Sequence, residues 1–245
     1  MTTPPATMPQ PAPSSAPETA APTQTARRSR FGLFFGIIAT VLTLGAVALA
    51  VFAPALTSAP QLQVPQGWQQ IYNDTPTNAS GAWPDSSGCA FVSQGLDVQS
   101  DSTCPFTPAS GASLDGGVLV VAKLAPAADV SLSQDAAIAL GNSLIVLVSQ
   151  DGSYQICRDN CDIFSGADNI LSTGSTVAWH ADAFVSNEVA VMYDAGIATL
   201  RLYINGQYVD HVVATLGITP AVALATSSNG EALFTHLAIY AKNAG

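Results

Sequence analysis

The feature that most constrains this chain is a run of 23 residues without a charge, Phe31 to Ala53, FGLFFGIIATVLTLGAVALAVFA. As a helix rising 1.5 Å per residue it extends about 34 Å, enough to cross a hydrocarbon core of roughly 30 Å with some tilt. Arg27, Arg28 and Arg30 abut its N-terminal end, and Pro54 stops it. Cationic residues next to an apolar span stay on the cytoplasmic side. The pattern therefore predicts a single-pass transmembrane helix, with the N-terminus in the cytoplasm and residues 54–245 outside. A cleaved signal is the competing reading, because Ala48-Leu49-Ala50 resembles a small-residue cleavage site. Against it, the apolar run exceeds the usual 7–15 residues and the segment before it is long for a signal. Gly32 and Gly36 stand four apart in the run, the spacing that lets two membrane helices approach closely, so a homodimer through them is one expected contact.

Charge divides at the same place. Before residue 54, three arginines face one acid, Glu18; beyond it, sixteen acids face only Lys123, Arg158, Arg201 and Lys242. A region this acidic repels phosphate backbones, which argues against nucleic acid as a partner. Residues 1–30 are a Pro/Ala/Thr/Ser/Gln stretch with a basic end. Such a stretch cannot bury enough apolar surface to offset its ordering entropy, so it reads as a disordered cytoplasmic tail. Its polyproline-like segment Pro9-Gln10-Pro11-Ala12-Pro13 offers bait to Pro-binding modules. Residues 54–66 read as a linker, and 67–245 as the extracytoplasmic domain.

All four cysteines, Cys89, Cys104, Cys157 and Cys161, fall in that domain. An even count beyond a membrane segment predicts two disulfides in an oxidising compartment. Reduced thiols in a cytosolic domain are the alternative. A zinc site is weaker, since the Cys157/Cys161 pair has no second ligand pair close by in sequence.

The domain shows short β-rich runs between turn signals and no long helical periodicity. Val118–Val121 follows Gly116-Gly117. Leu144–Val148 leads through Asp151-Gly152 into Tyr154–Cys157, a predicted type I′ hairpin. Leu200–Ile204 leads through Asn205-Gly206 into Gln207–Val212, the clearest hairpin in the chain. Ala221–Ala225 and Leu233–Tyr240 flank Ser228-Asn229-Gly230-Glu231. Alternation puts Leu200, Leu202 and Ile204 on one face, with Arg201 and Tyr203 on the other. In the last run it groups Leu233, Thr235, Leu237 and Ile239 against Phe234, His236, Ala238 and Tyr240. Both groups contain apolar residues, so that strand is expected to be covered on both sides. Many short strands without helical crossovers predict an all-β, two-sheet antiparallel sandwich.

The order of motifs carries a resemblance. Trp68-Gln69-Gln70-Ile71-Tyr72-Asn73-Asp74 is followed by the Cys89–Cys104 segment and a strand pair holding Asp-Gly-Ser-Tyr. Asn187-Glu188-Val189-Ala190-Val191 then precedes the Leu-Tyr-Ile-Asn-Gly hairpin and Phe234-Thr235-His236-Leu237-Ala238-Ile239-Tyr240. Residues 68–241 in this order resemble the concanavalin A-like, laminin-G-like jelly rolls of bacterial surface proteins, including domains similar to 3-keto-disaccharide hydrolases. The resemblance implies two antiparallel sheets around one core. It also implies a binding or adhesive role, with sugar or calcium among the ligands.

The candidate chemistry is thin. Glycoside hydrolysis needs two carboxyl groups flanking the scissile bond about 5–10 Å apart. No acidic cluster of that kind occurs; Glu188 and Glu231 stand alone near turn signals and read as surface residues. His180, His211 and His236 are far apart, with no nucleophile elbow or zinc-protease motif. Asp182, Asp194 and Asp210, near strand ends, are the candidates for a calcium site. Trp68, Trp83 and Trp179 are the candidates for stacking on a sugar ring, and Trp83, in a Gly/Ser/Asp-rich loop, is the preferred exposed platform. Asn73-Asp74-Thr75 and Asn78-Ala79-Ser80 match glycosylation sequons. The expectation is a non-catalytic, membrane-anchored module that binds a glycan or a cell-surface protein. A saccharide hydrolase or lyase on the same fold and a structural envelope protein are the alternatives.

Overall fold

The computed structural model describes residues 61–109, 112–141, 143–159, 169–216 and 221–242. The tail, Arg27, Arg28 and Arg30, the Phe31–Ala53 run with Gly32 and Gly36, and Cys161 lie outside the described residues. Among the described residues no helix is long and apolar enough to cross a membrane.

Among the described residues the domain has fourteen strands. They are β1 (Trp68–Asp74), β2 (Cys89–Val92), β3 (Gly95–Val98), β4 (Thr103–Phe106), β5 (Gly117–Leu124), β6 (Ser133–Leu140) and β7 (Leu144–Ser149). The remainder are β8 (Ser153–Arg158), β9 (Ile170–Ser175), β10 (Asn187–Asp194), β11 (Thr199–Ile204), β12 (Gln207–Val213), β13 (Val222–Ala225) and β14 (Gly230–Lys242). One 3-10 turn, Ala127–Asp129, precedes β6.

The first sheet runs β12-β11-β10-β5-β14, with β1 and the β3–β2 hairpin sharing the far side of β14. The second runs β4-β13-β6-β7-β8-β9. All pairings within the sheets are antiparallel, and one short parallel contact, Gly230 and Glu231 against Ser133 and Gln134, joins them. This is the two-sheet sandwich expected from the sequence.

Alternation builds the core. Val118, Val120, Ala122 and Leu124 of β5 and Leu200, Leu202 and Ile204 of β11 point inward from the first sheet. Ile138 and Leu140 of β6, Leu144, Val146 and Val148 of β7, and Ile156 of β8 meet them from the second. Burying each such side chain is worth about 1.5–3 kcal/mol. Cys89 on β2 and Cys104 on β4 form a disulfide, Cα–Cα 5.9 Å, that ties the edge of one sheet to the edge of the other. Cys157 is oxidised as well.

Two local expectations need correction. Asn205 and Gly206 both take positive φ, 49° and 75°, as a type I′ turn requires. At the other hairpin only Gly152 does, at 79°, and its N–H bonds the Ser149 carbonyl at 2.9 Å. Asp151 keeps ordinary φ because its carboxylate accepts the Ser153 N–H and hydroxyl, at 2.9 and 2.6 Å. The turn is therefore closed by a left-handed glycine and is not type I′. In β14 the register against β5 shifts between Phe234 and His236. This bulge reverses the parity, so Phe234 shares the core with Leu237 and Ile239, while Leu233 does not join it. Simple alternation had placed Phe234 on the opposite face.

Candidate functional site

The outward residues of the second sheet line a groove of about 580 Å³. β6 contributes Ser133, Asp135 and Ala137; β7 contributes Ile145, Leu147 and Ser149; β8 contributes Ser153 and Gln155. Thr173 of β9, Thr103 of β4 and Ala225 of β13 complete the floor. On β4, β6, β7, β8 and β13 these residues alternate with buried ones, so the packing that fixes the core also fixes most of the floor. Most of the lining residues bear a hydroxyl or an amide, and they surround a floor of Ala137, Ile145, Leu147 and Ala225 that makes the exposed lining somewhat more apolar than polar by area.

One end is closed by the loop Thr226–Asn229. The Ser227 hydroxyl donates to Asp135 Oδ2 at 2.7 Å, and the Asp101 N–H donates to the Ser227 carbonyl at 3.1 Å. Thr226 Oγ1 donates to the Gln99 carbonyl at 2.7 Å, and the Ser100 hydroxyl to the Ser228 carbonyl. Gly230 is required beside this loop, because a Cβ there would stand 2.6 Å from Asp135 Cβ and 2.8 Å from Ser227 Oγ. Among the described lining residues the carboxylates are Asp101 and Asp135. The Asp135 carboxylate accepts from the Ser227 side chain and the Asp101 backbone bonds the Ser227 carbonyl, so both residues stand beside the same loop.

On the side of the groove toward β9, Tyr154 donates to Asp210 Oδ2 at 3.1 Å, and the Ser172 hydroxyl bonds the same oxygen at 2.5 Å. Asp210 belongs to β12, so it clamps the edge of the first sheet to β8 and β9. Burial, then the Asp210 charge, raises the Tyr154 pKa above the usual phenol value.

A second pair of acids lies where the sheets join. Asp97 of β3 faces Glu231 of β14, and Asp97 Oδ1 is buried without a hydrogen-bond partner. Burial, then the charge and hydrogen bonding of Glu231, raises the Asp97 pKa. Burial opposes the Glu231 carboxylate too. Bonds from the Ser131 hydroxyl (2.6 Å), the Ser131 N–H (2.8 Å) and the Leu132 N–H (3.0 Å) outweigh it and leave its pKa lowered. Glu231 thus anchors the approach to β6 and is not the free surface residue expected.

The tryptophan expectation fails for Trp83, which is 1% exposed. It packs edge-on against Tyr72 and tilted against Phe106, with centroids 6.0 and 5.2 Å away, beside the Cys89–Cys104 bridge. Flanking Gly, Ser and Asp had suggested an exposed loop, but the ring is the plug at that corner of the sandwich. Trp179 is also buried, with its Cβ against Gly152. Trp68 is half-buried on the outer face of the first sheet, over Gly117. None of the three lines the groove.

The three aspartates proposed for calcium are not brought together. Asp182, before β10, and Asp194, at its end, are separated by the strand's length, roughly 25 Å. Asp182 caps the Phe184 N–H, Asp194 pairs with Lys242, and Asp210 is held as described. Among the described residues no group of three or more His, Cys, Asp or Glu is placed to hold a metal ion. The histidines are likewise dispersed. His236 pairs in register with Lys123 and His211 with Arg201, four strands apart and so roughly 19 Å, and His180 lies in the loop before β10. His211 Nδ1 lies 2.7 Å from the Tyr208 hydroxyl.

The groove residues went unmarked in the sequence because β6, Ser133-Gln134-Asp135-Ala136-Ala137-Ile138-Ala139-Leu140, lacks the β-branched density of a strand. Its usable signal was Ser133 and Asp135 alternating with residues that turn inward.

No protein-family profile and no curated protein sequence matches the chain. Among solved structures, the carbohydrate recognition domain of Emp46p overlays at 9% identity and TM-score 0.49, covering 73% of this chain and 98% of that one. The exoplasmic/lumenal domain of VIP36, in a form bound to Ca2+ and Man3GlcNAc, overlays at 11% identity and TM-score 0.48, covering 70% and 89%. The carbohydrate-binding module CBM66 from Bacillus subtilis overlays at 11% identity and TM-score 0.38, covering 75% and 97%. Likenesses this distant say nothing about a ligand, and the sandwich assignment rests on the strand order itself.

Proposed function

We propose that this protein is a membrane-anchored, extracytoplasmic binding module that takes a glycan in the groove of the second sheet, without catalysis. The observation that carries this reading is the groove floor. Its volume of about 580 Å³ falls within the range of small-ligand sites, and its hydroxyl and amide lining offers both donors and acceptors to a polyhydroxylated ligand. The position of Asp101 and Asp135 supports binding over hydrolysis, since acid and base must flank a bond from opposite sides. The Phe31–Ala53 run with its arginines supports the anchor, and the oxidised Cys89–Cys104 pair is what a disulfide-forming compartment would produce.

The test uses the full chain in nanodiscs against an array of envelope polysaccharides, followed by titration of any ligand found. Gln155→Ala combined with Thr173→Ala, both on the groove floor, should weaken binding at least about tenfold if two hydrogen bonds are lost. Absence of binding to every glycan, or binding indifferent to both substitutions, would overturn the reading.

A further inference from the structure

The loop between β9 and β10 carries an apolar tip that nothing among the described residues covers. Val177 is 103% exposed, Phe184 81% and Val185 39%. Three exposed apolar side chains on one loop mark a candidate contact surface. The loop behind them is firmly held. Asn187, 2% exposed, accepts the His180 N–H at 2.8 Å and donates to the His180 carbonyl at 3.0 Å. Asn205 Nδ2 donates to the Ala178 carbonyl at 2.7 Å and to Asn187 Oδ1 at 2.8 Å. The Asp182 carboxylate accepts the Phe184 N–H at 2.9 Å, and the Ala183 carbonyl accepts the Ala128 N–H at 2.8 Å. The backbone is ordered before contact, so docking would lose little further conformational entropy.

The path of the chain points to the occupant. The Leu62 N–H donates to the Gly206 carbonyl at 2.7 Å, and Gln61 bridges to Gln207. Gly206 follows Asn205, the residue whose amide holds Ala178 next to Val177. The chain therefore enters the domain beside the apolar tip. Gln61 is only eight residues beyond Ala53, a reach of at most about 28 Å. We propose that Val177, Phe184 and Val185 insert into the interfacial layer of the bilayer that Phe31–Ala53 crosses, holding the domain against the membrane. This rests on the membrane reading of that run. A short tether keeps the bilayer at high effective concentration for whatever lies at the tethered end. The Asp182 carboxylate accepts the Phe184 N–H but keeps its charge, so contact is driven by the apolar side chains and anionic lipid should weaken it.

The experiment places a nitroxide on the full-length protein in phosphatidylcholine vesicles, at Phe184→Cys, Val177→Cys and, at the far end of β12, Val213→Cys. No described native cysteine is free, so the introduced thiol takes the label. Collision with oxygen, which partitions into lipid, is compared with collision with a nickel chelate, which stays in water. The expected result is high oxygen and several-fold lower nickel access at 177 and 184 than at 213. Nickel access at 184 equal to that at 213 would overturn the proposal. So would low access to both probes, which would mean a protein neighbour such as a second copy. Alkaline extraction runs alongside. Protein released from the vesicles defeats the membrane reading and the inference with it; protein retained with a water-exposed label at 184 defeats the inference alone.

Discussion

The outer face of the first sheet is covered by an aromatic layer, whereas the outer face of the second forms the floor of an open groove. On the first, Leu119, Ala190, Met192 and Tyr203 are buried, and Leu62, Trp68, Tyr208 and Tyr240 pack around them. Tyr203 and Tyr208 meet edge to face at 5.8 Å. On the second, the equivalent positions are Ser, Thr, Gln, Asp and Ala, with Ile145 and Leu147 of β7 as the larger apolar side chains and no aromatic layer over them. Both sheets turn equally apolar faces toward the shared core, so core burial does not distinguish them. What distinguishes them is whether another part of the chain lies across the outside. Gln61 and Leu62 run over the first sheet, and its exterior can therefore be aromatic. The second keeps an exterior that tolerates water or a hydrogen-bonding ligand. A binding surface is thus recorded in the positions that alternate with the core.

The largest test of that contrast compares two tryptophans. Trp83→Ala should destabilise the domain by about 3–5 kcal/mol, because it empties a fully buried site. Trp68→Ala, on the half-covered outer face, should cost about 1–2 kcal/mol. Urea unfolding of both variants decides it. Equal losses would mean that the outer aromatic layer is a second core, and the contrast between the faces would need redrawing.

The covalent link between the sheets comes next. Replacing Cys89 and Cys104 together with Ser should cost about 3 kcal/mol, the chain-entropy value for a closed loop of this size. Unfolding followed by two probes, tryptophan fluorescence and far-UV dichroism, should remain coincident. Separate transitions would show the sheets to be independent once unlinked.

These elements differ in how legible they were. The type I′ hairpin at Asn205-Gly206 and the inward face of β11 could be read directly, because turn chemistry and period-two alternation agree there. The β14 bulge was invisible, since an extra residue changes parity without any local signature. Trp83 was misread because loop composition describes the backbone around a residue and not the space its ring fills. Asp97 and Glu231 lie 134 positions apart in sequence, and only the joining of the sheets makes them a pair. The groove escaped for a related reason. Its polar strand residues come from five short strands, and none forms a motif alone.

The acid pair offers a smaller effect, with a sign. Glu231→Gln should cost about 1–3 kcal/mol, because the Ser131 and Leu132 N–H groups lose a charged acceptor. Asp97 has a raised folded pKa, so its contribution is full below the ordinary carboxylate pKa and is lost as pH rises through the raised value. Glu231 has a lowered one, so its contribution is present above the ordinary value and lost as pH falls through the lowered one. The pair therefore favours a mildly acidic window in which Asp97 is protonated and Glu231 is not. Thermal melts from acid to neutral pH should show stability falling on the alkaline side of that window. Asp97→Asn, which keeps a donor and removes the ionisation, should abolish that fall. If the slope survives in Asp97→Asn, Asp97 is not the group that sets it.

The smallest expected effect lies on the outer face of the first sheet. Lys242 Nζ donates to both oxygens of Asp194, at 2.8 and 3.0 Å, with the two side chains 36% and 20% exposed. Burial acts to raise the Asp194 pKa. The Lys242 bond, the Gly196 N–H and the charges of Lys242 and Arg201 together overcome it, leaving the value lowered. The stability this adds is present above the ordinary carboxylate pKa and disappears as pH falls through the lowered one. Solvent screens a pair this open, so its worth is about 0–1 kcal/mol. Lys242 stands opposite Trp68 in the β1–β14 register, and Lys242→Met keeps an apolar stem there while removing the charge. At neutral pH that variant should lose no more than about 1 kcal/mol, less in high salt, and at low pH nothing. A loss that persists in acid would come from packing against Trp68. The first sheet's outer face would then be held by its aromatic layer, with the ion pair contributing nothing.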